Sequence, residues 1–171
     1  MIHRELNGFP FSLLLSVEDE KMSNIHKSSA IEQMGAEEYV FSVIQSELSV
    51  ALEKNQKINV VGKTYIQPDF YSEENRIVGE IFAHIGDLKV GQKHKIAHDI
   101  LKMLLLEKAT GKVFRKMFVI CDEKVYNALQ GYSALAESFT QFSVELKCVE
   151  LDEETRQSIS LAQKRQVMVN S

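Results

Sequence analysis

The sequence of 171 residues has no tryptophan, 2 prolines and 2 cysteines. Two cysteines are too few for the disulfide framework of a small secreted domain, and no Cys-x-x-Cys or His-Cys spacing indicates a zinc site. Cys121 and Cys148 each lie in an apolar run, far apart along the chain. We therefore expect two reduced, buried thiols in a cytoplasmic protein.

The sequence also has no hydrophobic run long enough to span a membrane. The apolar stretch near the start, residues 11–15, is far shorter than the ~20 residues that a spanning helix needs. Acidic residues follow it at Glu18, Asp19 and Glu20, unlike the pattern of a signal peptide. We expect a chain without a membrane segment.

A glycine-rich phosphate loop is also missing, because Gly86 and Gly91 are not followed by the Lys-Ser/Thr ending of such a loop. The net charge of -4 disfavours nucleic acid only mildly, since binding depends on a local basic patch. No repeat or linker divides the chain, and a hydrophobic fraction of 44% is ordinary for one globular domain. We expect a single domain over residues 29–171, with residues 1–28 as an N-terminal extension packed on its core.

Hydrophobic periodicity predicts the order of helices and strands. The predicted helices cover residues 29–54, 92–109, 123–129 (with a further helical segment at 134–142) and 152–166. The predicted strands cover residues 57–62, 64–70, 76–85, 116–121 and 144–148. The order αβββαβαβα predicts an α/β protein with a mixed central sheet of about five strands flanked by helices.

Two acids stand out in the predicted hairpin of residues 64–85. Asp69 follows Pro68, and Glu80 is embedded in the apolar sequence Ile-Val-Gly-Glu-Ile-Phe-Ala, where a hydrated carboxylate is not expected. Side chains alternate along a strand, so Glu80 shares a face with Phe82 and His84. Carboxylates on neighbouring strands can converge on one divalent cation, because Mg²⁺ prefers oxygen ligands.

A third acid, Glu37, lies at the centre of the predicted apolar face of the first helix. That face comprises Ala30, Met34, Phe41, Ile44, Leu48 and Leu52. A buried carboxylate costs several kcal/mol unless it is paired or bound to a metal. Glu37 therefore needs a partner, or this half of the helix overhangs the sheet and Glu37 is hydrated.

A lysine is expected to approach these acids from the helix that follows the hairpin. We predict an apolar face formed by Ile96, Ala97, Ile100, Met103 and Leu104. Lys93 falls on that face in the first turn, whereas Lys95, Asp99 and Lys102 are predicted to point away. Lys93 would meet Asp69 and Glu80, or it would extend to solvent at the helix start.

Pro68 and Asp69, followed by Glu80, resemble the motif of the PD-(D/E)xK superfamily of restriction-endonuclease-like nucleases. With the order of elements, the resemblance extends from about residue 30 to residue 149. It implies a core of a helix, three antiparallel strands, a helix and a further strand. It also implies that Asp69 and Glu80 bind Mg²⁺ or Mn²⁺, joined by Glu37, in an enzyme that hydrolyses phosphodiester bonds of nucleic acid, with DNA as the expected partner.

The chain departs from this motif at Phe82, where the superfamily has a lysine. Phenylalanine cannot polarise a phosphate or help to deprotonate water. Some members of the superfamily supply the lysine from the next helix, so Lys93 is the expected substitute, with His84 and Gln92 as further catalytic candidates.

Many such nucleases act as dimers, so a homodimer is a further expectation, although the sequence shows no exposed apolar stripe that would identify its interface.

Two other interpretations stay open. The domain could be catalytically inert and use the same fold to bind nucleic acid or protein, which the substitution at Phe82 and the acidic balance favour. Alternatively, it could be an unrelated doubly wound domain in which Asp122 follows a buried parallel strand and lies near a ligand.

Overall fold

The structure, a computed structural model, describes residues 35–169. The predicted N-terminal extension of residues 1–28, together with Ala30 and Met34, lies outside the described residues. The helices are α1 (residues 35–48), α2 (Val90–Thr110), α3 (Glu123–Leu129), α4 (Ala134–Gln141) and α5 (Glu153–Val169). The strands are β1 (Glu53–Lys54), β2 (Ile58–Val61), β3 (Thr64–Ile66), β4 (Phe70–Ser72), β5 (Ile77–Phe82), β6 (Arg115–Ile120) and β7 (Val144–Cys148).

Five of these strands form a mixed central sheet in the order β1-β4-β5-β6-β7. Strand β4 runs antiparallel to both β1 and β5, whereas β5, β6 and β7 are parallel to one another. Helices pack on both faces of this sheet. The predicted fold class, an α/β protein with a mixed sheet of about five strands flanked by helices, is confirmed.

The first predicted helix is too long at its C-terminal end. Helix α1 ends at residue 48, and the next residue, Ser49, has a left-handed φ of 54°. A left-handed residue commonly terminates a helix, because it turns the chain away from the helix axis. Glu53 and Lys54 therefore do not continue the helix, and they form β1 at the edge of the central sheet beside β4.

The predicted strand over residues 64–70 is also wrong, because the chain divides it between two sheets. Its first part, β3, pairs only with β2 in a separate two-stranded sheet. Its end belongs to β4 in the central sheet, and Pro68 lies in the connection. Proline lacks a backbone N–H and interrupts a sheet ladder, which accounts for the break.

The two faces of the central sheet pack against different helices. On one face, Ile77 and Ile81 of β5 pack with Ala36 and Val40 of α1. On the other, Val78 and Phe82 pack with apolar residues of α2, α3 and α4. Gly79 is required on the first face, because a Cβ atom there would lie 2.0 Å from the Phe70 ring.

The predicted faces of two helices were partly wrong. In α1 the buried residues are Ala36, Val40, Phe41 and Ile44, so that Glu37 lies half-buried at the side of the packed face rather than at its centre. In α2 they are Ile96, Asp99, Ile100, Met103 and Leu106, whereas Ala97 is exposed. Asp99 thus points toward the sheet and not away from it.

The outer surface of α2 carries exposed leucines that the sequence had not suggested as a stripe. Leu101 is 61% exposed, and Leu105, one turn further along, is 37% exposed.

Within residues 35–169, no helix has the length and apolar character needed to cross a membrane. Both cysteines are free thiols, but only Cys121 is buried as expected, since Cys148 at the end of β7 is exposed.

Candidate functional site

Glu80 is an acidic residue buried at the centre of the sheet. It lies in the middle of β5, where only 1% of its surface is exposed. Its neighbours Val78 and Phe82 point toward α2, and alternation along the strand directs Glu80 toward the same helix. Oε1 of Glu80 is paired with the ammonium of Lys102. A carboxyl group buried this deeply is costly unless it is paired, which singles out Glu80 and its partners as the candidate site.

Asp69 lies near Glu80, in the bend that precedes β4. The ladder between β4 and β5 ends with the pair of Phe70 and Gly79, so Asp69 is not part of it. The negative charge of Asp69 raises the pKa of Glu80, which indicates that the two carboxyl groups are close. Oδ2 of Asp69 accepts a hydrogen bond of 2.7 Å from the backbone N–H of Ile81, which fixes the orientation of its carboxylate.

A lysine of α2 reaches the buried acid. Nζ of Lys102 lies 2.7 Å from Oε1 of Glu80 and 3.0 Å from Oδ1 of Asp99. The first contact has the distance of a charge-assisted hydrogen bond. On the outer side, Nζ of Lys95 lies 2.8 Å from Oδ2 of Asp99. We call Asp69, Glu80, Asp99 and Lys102 the acid–lysine cluster.

The charges of this cluster are unbalanced, with three carboxyl groups around one inner lysine. Burial raises the pKa of Glu80 to about 8, and the charges of Asp69 and Asp99 act in the same direction, against the opposing effect of Lys102. Burial works to lower the pKa of Lys102, but Glu80 and Asp99 outweigh it and raise that pKa. The two effects on Glu80 therefore oppose each other: burial favours its protonated form, whereas the ammonium of Lys102 favours its charged form.

The lysine expected beside the acids was assigned to the wrong position. Lys93 is exposed, and the amine that contacts Glu80 belongs to Lys102, which had been predicted to point away. The error came from including Ala97 and Leu104 in the apolar face. The spacing of Ile96, Ile100, Met103 and Leu106 would have turned the predicted face toward Asp99 and Lys102.

Glu37 lies on a different side of the sheet from the buried acid. Its neighbours Ala36 and Val40 pack on the face that carries Ile77 and Ile81, whereas Glu80 points to the opposite face, toward α2. The structure thus brings Asp69 and Glu80 together from neighbouring segments. It provides Asp99, not Glu37, as the further acid on the Glu80 side.

His84 and Gln92 contact each other beyond the end of β5. Nε2 of Gln92 lies 3.0 Å from Nδ1 of His84, and Oε1 of Gln92 accepts a hydrogen bond of 2.7 Å from the N–H of Lys89 at the start of α2. Burial lowers the pKa of His84, which favours the neutral imidazole at pH 7. The Phe82 ring packs 5.5 Å from the His84 ring, between this pair and Glu80 along the strand.

Asp122, the residue of the doubly wound interpretation, is buried at the end of β6 but already engaged. One of its oxygens accepts a hydrogen bond of 2.9 Å from the N–H of Lys124 and so caps α3. Its other oxygen lies 2.7 Å from Nη2 of Arg156. These bonds give Asp122 a structural role that requires no ligand.

The carboxyl groups near Glu80 are the type of ligand that a hard cation such as Mg²⁺ prefers. Among residues 35–165, no three His, Cys, Asp or Glu side chains come together as a group that could hold a metal. Mg²⁺, however, commonly binds one or two carboxylates and keeps water or substrate phosphate as its other ligands. The carboxyl groups of Asp69 and Glu80 would supply two such ligands once the ammonium of Lys102 leaves Oε1 of Glu80.

Comparisons with known proteins identify no relative: no protein-family model matches the chain, and neither the curated proteins nor the solved structures contain a significant match.

Proposed function

We propose that the chain is a metal-dependent nuclease of the restriction-endonuclease-like type, acting on phosphodiester bonds of nucleic acid, with DNA as the expected substrate. The observation that carries the proposal is the contact of 2.7 Å between Lys102 and the buried carboxyl group of Glu80. With Asp69 near Glu80, the site has two acids and one amine despite the phenylalanine at position 82. Lys102 takes the role that the motif gives to the missing lysine.

In this proposal Asp69 and Glu80 hold Mg²⁺ or Mn²⁺. When bound, such an ion lowers the pKa of a bound water and stabilises negative charge on the phosphate oxygens. Lys102 adds a positive charge beside the phosphate, which favours the developing negative charge of the transition state. His84 and Gln92, at the end of β5, stay candidates for a hydrogen bond to substrate or water.

An exposed basic strip lies along the N-terminal part of α2 and supports a nucleic-acid partner. It comprises Lys89, Lys93, His94, Lys95 and His98, all exposed. Phosphate contacts of this kind fix the position of a nucleic acid without reading its sequence. The overall charge of -4 is compatible with this, because the strip is local.

A cytoplasmic setting and a homodimer belong to the same proposal. The exposed free thiol of Cys148 supports a reducing compartment. The exposed Leu101 and Leu105 on one side of α2 support a contact with a second copy. Sedimentation of the wild type and a Leu101→Glu variant would test the dimer, which the substitution should weaken.

A second candidate function is a catalytically inert domain that binds nucleic acid or protein. The observation that favours it is the packing of Phe82 at the lysine position, with its ring 6.2 Å from Phe118 in the core. An inert domain would retain the basic strip and bind nucleic acid without cleaving it.

Cleavage of nucleic acid distinguishes the two candidates. We would incubate the wild type with plasmid, branched, single-stranded and RNA substrates, with Mg²⁺ or with a chelator. The proposal predicts metal-dependent cleavage that Asp69→Asn, Glu80→Gln and Lys102→Met each reduce by about 100-fold or more. Lys108→Met is the matched control on the same helix, and we expect it to retain cleavage within about threefold, since Lys108 is exposed in the last turn of α2 and lies outside the basic strip.

Two outcomes would contradict the nuclease proposal. One is no cleavage of any substrate by the wild type. The other is cleavage that survives Glu80→Gln, which would indicate a contaminating enzyme. Binding of nucleic acid without cleavage would favour the inert domain.

A further inference from the structure

The position of the Lys102 ammonium has a consequence for cation binding at Glu80. Nζ of Lys102 lies 2.7 Å from Oε1 of Glu80, so the ammonium occupies an oxygen that a bound metal ion would need. An ammonium and a divalent cation both require the negative charge of this carboxylate. If both cations lay against the same oxygen, they would repel each other strongly.

Asp99 gives the ammonium a second carboxylate on the same helix. Nζ of Lys102 is 3.0 Å from Oδ1 of Asp99, which is buried and only 3% exposed. The other oxygen of Asp99 is held by Lys95 at 2.8 Å. The carboxylate is therefore fixed between two lysines, and Lys102 can lose its contact with Glu80 while it keeps a charged partner.

We propose that Lys102 is an internal cation that competes with a divalent metal ion for Glu80, and that Asp99 is the positioning residue that retains the displaced ammonium beside the site. This inference rests on the proposed function, since it takes Asp69 and Glu80 as the cation ligands. It adds a regulation of that site: the metal enters by exchange with a resident ammonium. The exchange limits cation affinity and leaves Lys102 next to the bound ion, where a phosphate would lie.

The two lysines that contact Asp99 provide a matched pair of variants. Lys102→Met removes an ammonium that contacts both Glu80 and Asp99, whereas Lys95→Met removes one that contacts Asp99 and not Glu80. Both variants lose one positive charge from the same helix and gain the same side chain. A general electrostatic effect on cation binding would appear in both, while competition for Glu80 would appear only in Lys102→Met.

The experiment is a titration of the full chain with Mn²⁺ alone, followed by calorimetry or by the electron paramagnetic resonance signal of free Mn²⁺. We expect Lys102→Met to bind Mn²⁺ about tenfold more tightly than the wild type, and Lys95→Met to stay within about threefold. Glu80→Gln should abolish binding in each background, which shows that the ion is at this site. If Lys102→Met does not fold, Lys102→Gln replaces it, and circular dichroism checks both.

Asp99 is tested by a double-mutant cycle. Asp99→Asn should weaken Mn²⁺ binding about threefold in the wild type, because Lys102 then has only Glu80 as its inner partner. In the Lys102→Met background the same change should have no effect, since there is no ammonium to retain. A direct metal ligand, or a residue needed only for folding, would weaken binding in both backgrounds.

The results separate failure of the inference from failure of the proposed function. One outcome is that the wild type binds Mn²⁺, Glu80→Gln abolishes the binding, and Lys102→Met binds no more tightly than Lys95→Met. That result would overturn the exchange and leave the metal site intact. Loss of affinity on Asp99→Asn in the Lys102→Met background would overturn the role of Asp99. Absence of Glu80-dependent binding in both the wild type and Lys102→Met would overturn the metal site and the exchange together.

Discussion

Two buried ion pairs join α2 to the central sheet, and they differ in the balance of acidic and basic groups around them. Near the C-terminal end of α2, Nζ of Lys116 on β6 lies 2.7 Å from Oε1 of Glu107. The same oxygen accepts a hydrogen bond of 2.8 Å from the N–H of Phe114. This pair joins one lysine to one acid, and a backbone N–H supplies a further hydrogen bond to the acid.

The pair at Lys102 has the opposite arrangement, with the acid on the strand and the lysine on the helix. Glu80 and Asp99 share the one ammonium of Lys102, and Asp69 adds a third carboxyl group whose charge acts on Glu80. Burial of charge alone therefore does not identify a functional site. The excess of acid over base distinguishes the acid–lysine cluster from the pair at Lys116, and it is the reason for which we propose a function for the cluster.

The largest expected difference between the two ion pairs is in how the free energy of unfolding depends on pH when no divalent metal is present. The pKa of Glu80 is raised from its ordinary value of 4.5 to about 8 by burial and by Asp69 and Asp99, against the charge of Lys102. Between these values the folded protein binds more protons than the unfolded chain, so the free energy of unfolding falls as pH rises. The free energy of unfolding decreases by up to about 1.4 kcal/mol per pH unit, and the decrease ends above pH 8.

Glu80→Gln removes this group, so its free energy of unfolding should fall less than that of the wild type over pH 5 to 8. Urea denaturation at a series of pH values, with a chelator present, measures the difference between the two proteins. Glu107→Gln is the control from the other ion pair. Parallel curves for the wild type and Glu80→Gln would show that Glu80 ionises normally in the folded state.

A smaller effect is expected when the two lysines are replaced in turn. Lys116→Met should lower the free energy of unfolding at pH 7 by about 2 kcal/mol, because it leaves Glu107, only 20% exposed, without its ionic partner. Lys102→Met should cost about 1 kcal/mol or less, since Glu80 can retain its proton and Asp99 keeps Lys95. Chemical denaturation compares them, and an equal loss would remove the distinction between the two pairs.

Much of the fold follows from local sequence pattern. The apolar run at residues 116–121 and the capping Asp122 predicted β6 and α3 well, because a buried parallel strand and a side-chain cap leave strong local signals. The edge strand β1 was missed, since Glu53 and Lys54 have no strand-like pattern of their own and are ordered by pairing with Phe70 and Tyr71. Tertiary pairing of this kind cannot be seen in a short polar segment.

The candidate site was predictable only in part. Asp69 and Glu80 could be placed on neighbouring segments, because the hairpin and the apolar surroundings of Glu80 are local features. The lysine could not be located correctly, because the rotation of α2 depends on which of several near-equivalent apolar stripes packs on the sheet. The inward orientation of Asp99 was missed for the same reason, because a charged residue is assigned to the outer face unless its partner is known.

The most direct test is a crystal structure of the wild type with Mn²⁺, read from the anomalous scattering of the ion. The account predicts one Mn²⁺ bound by the carboxylates of Asp69 and Glu80, with Nζ of Lys102 moved off Glu80 and still paired with Asp99. An ion bound elsewhere, with Lys102 still in contact with Glu80, would contradict it.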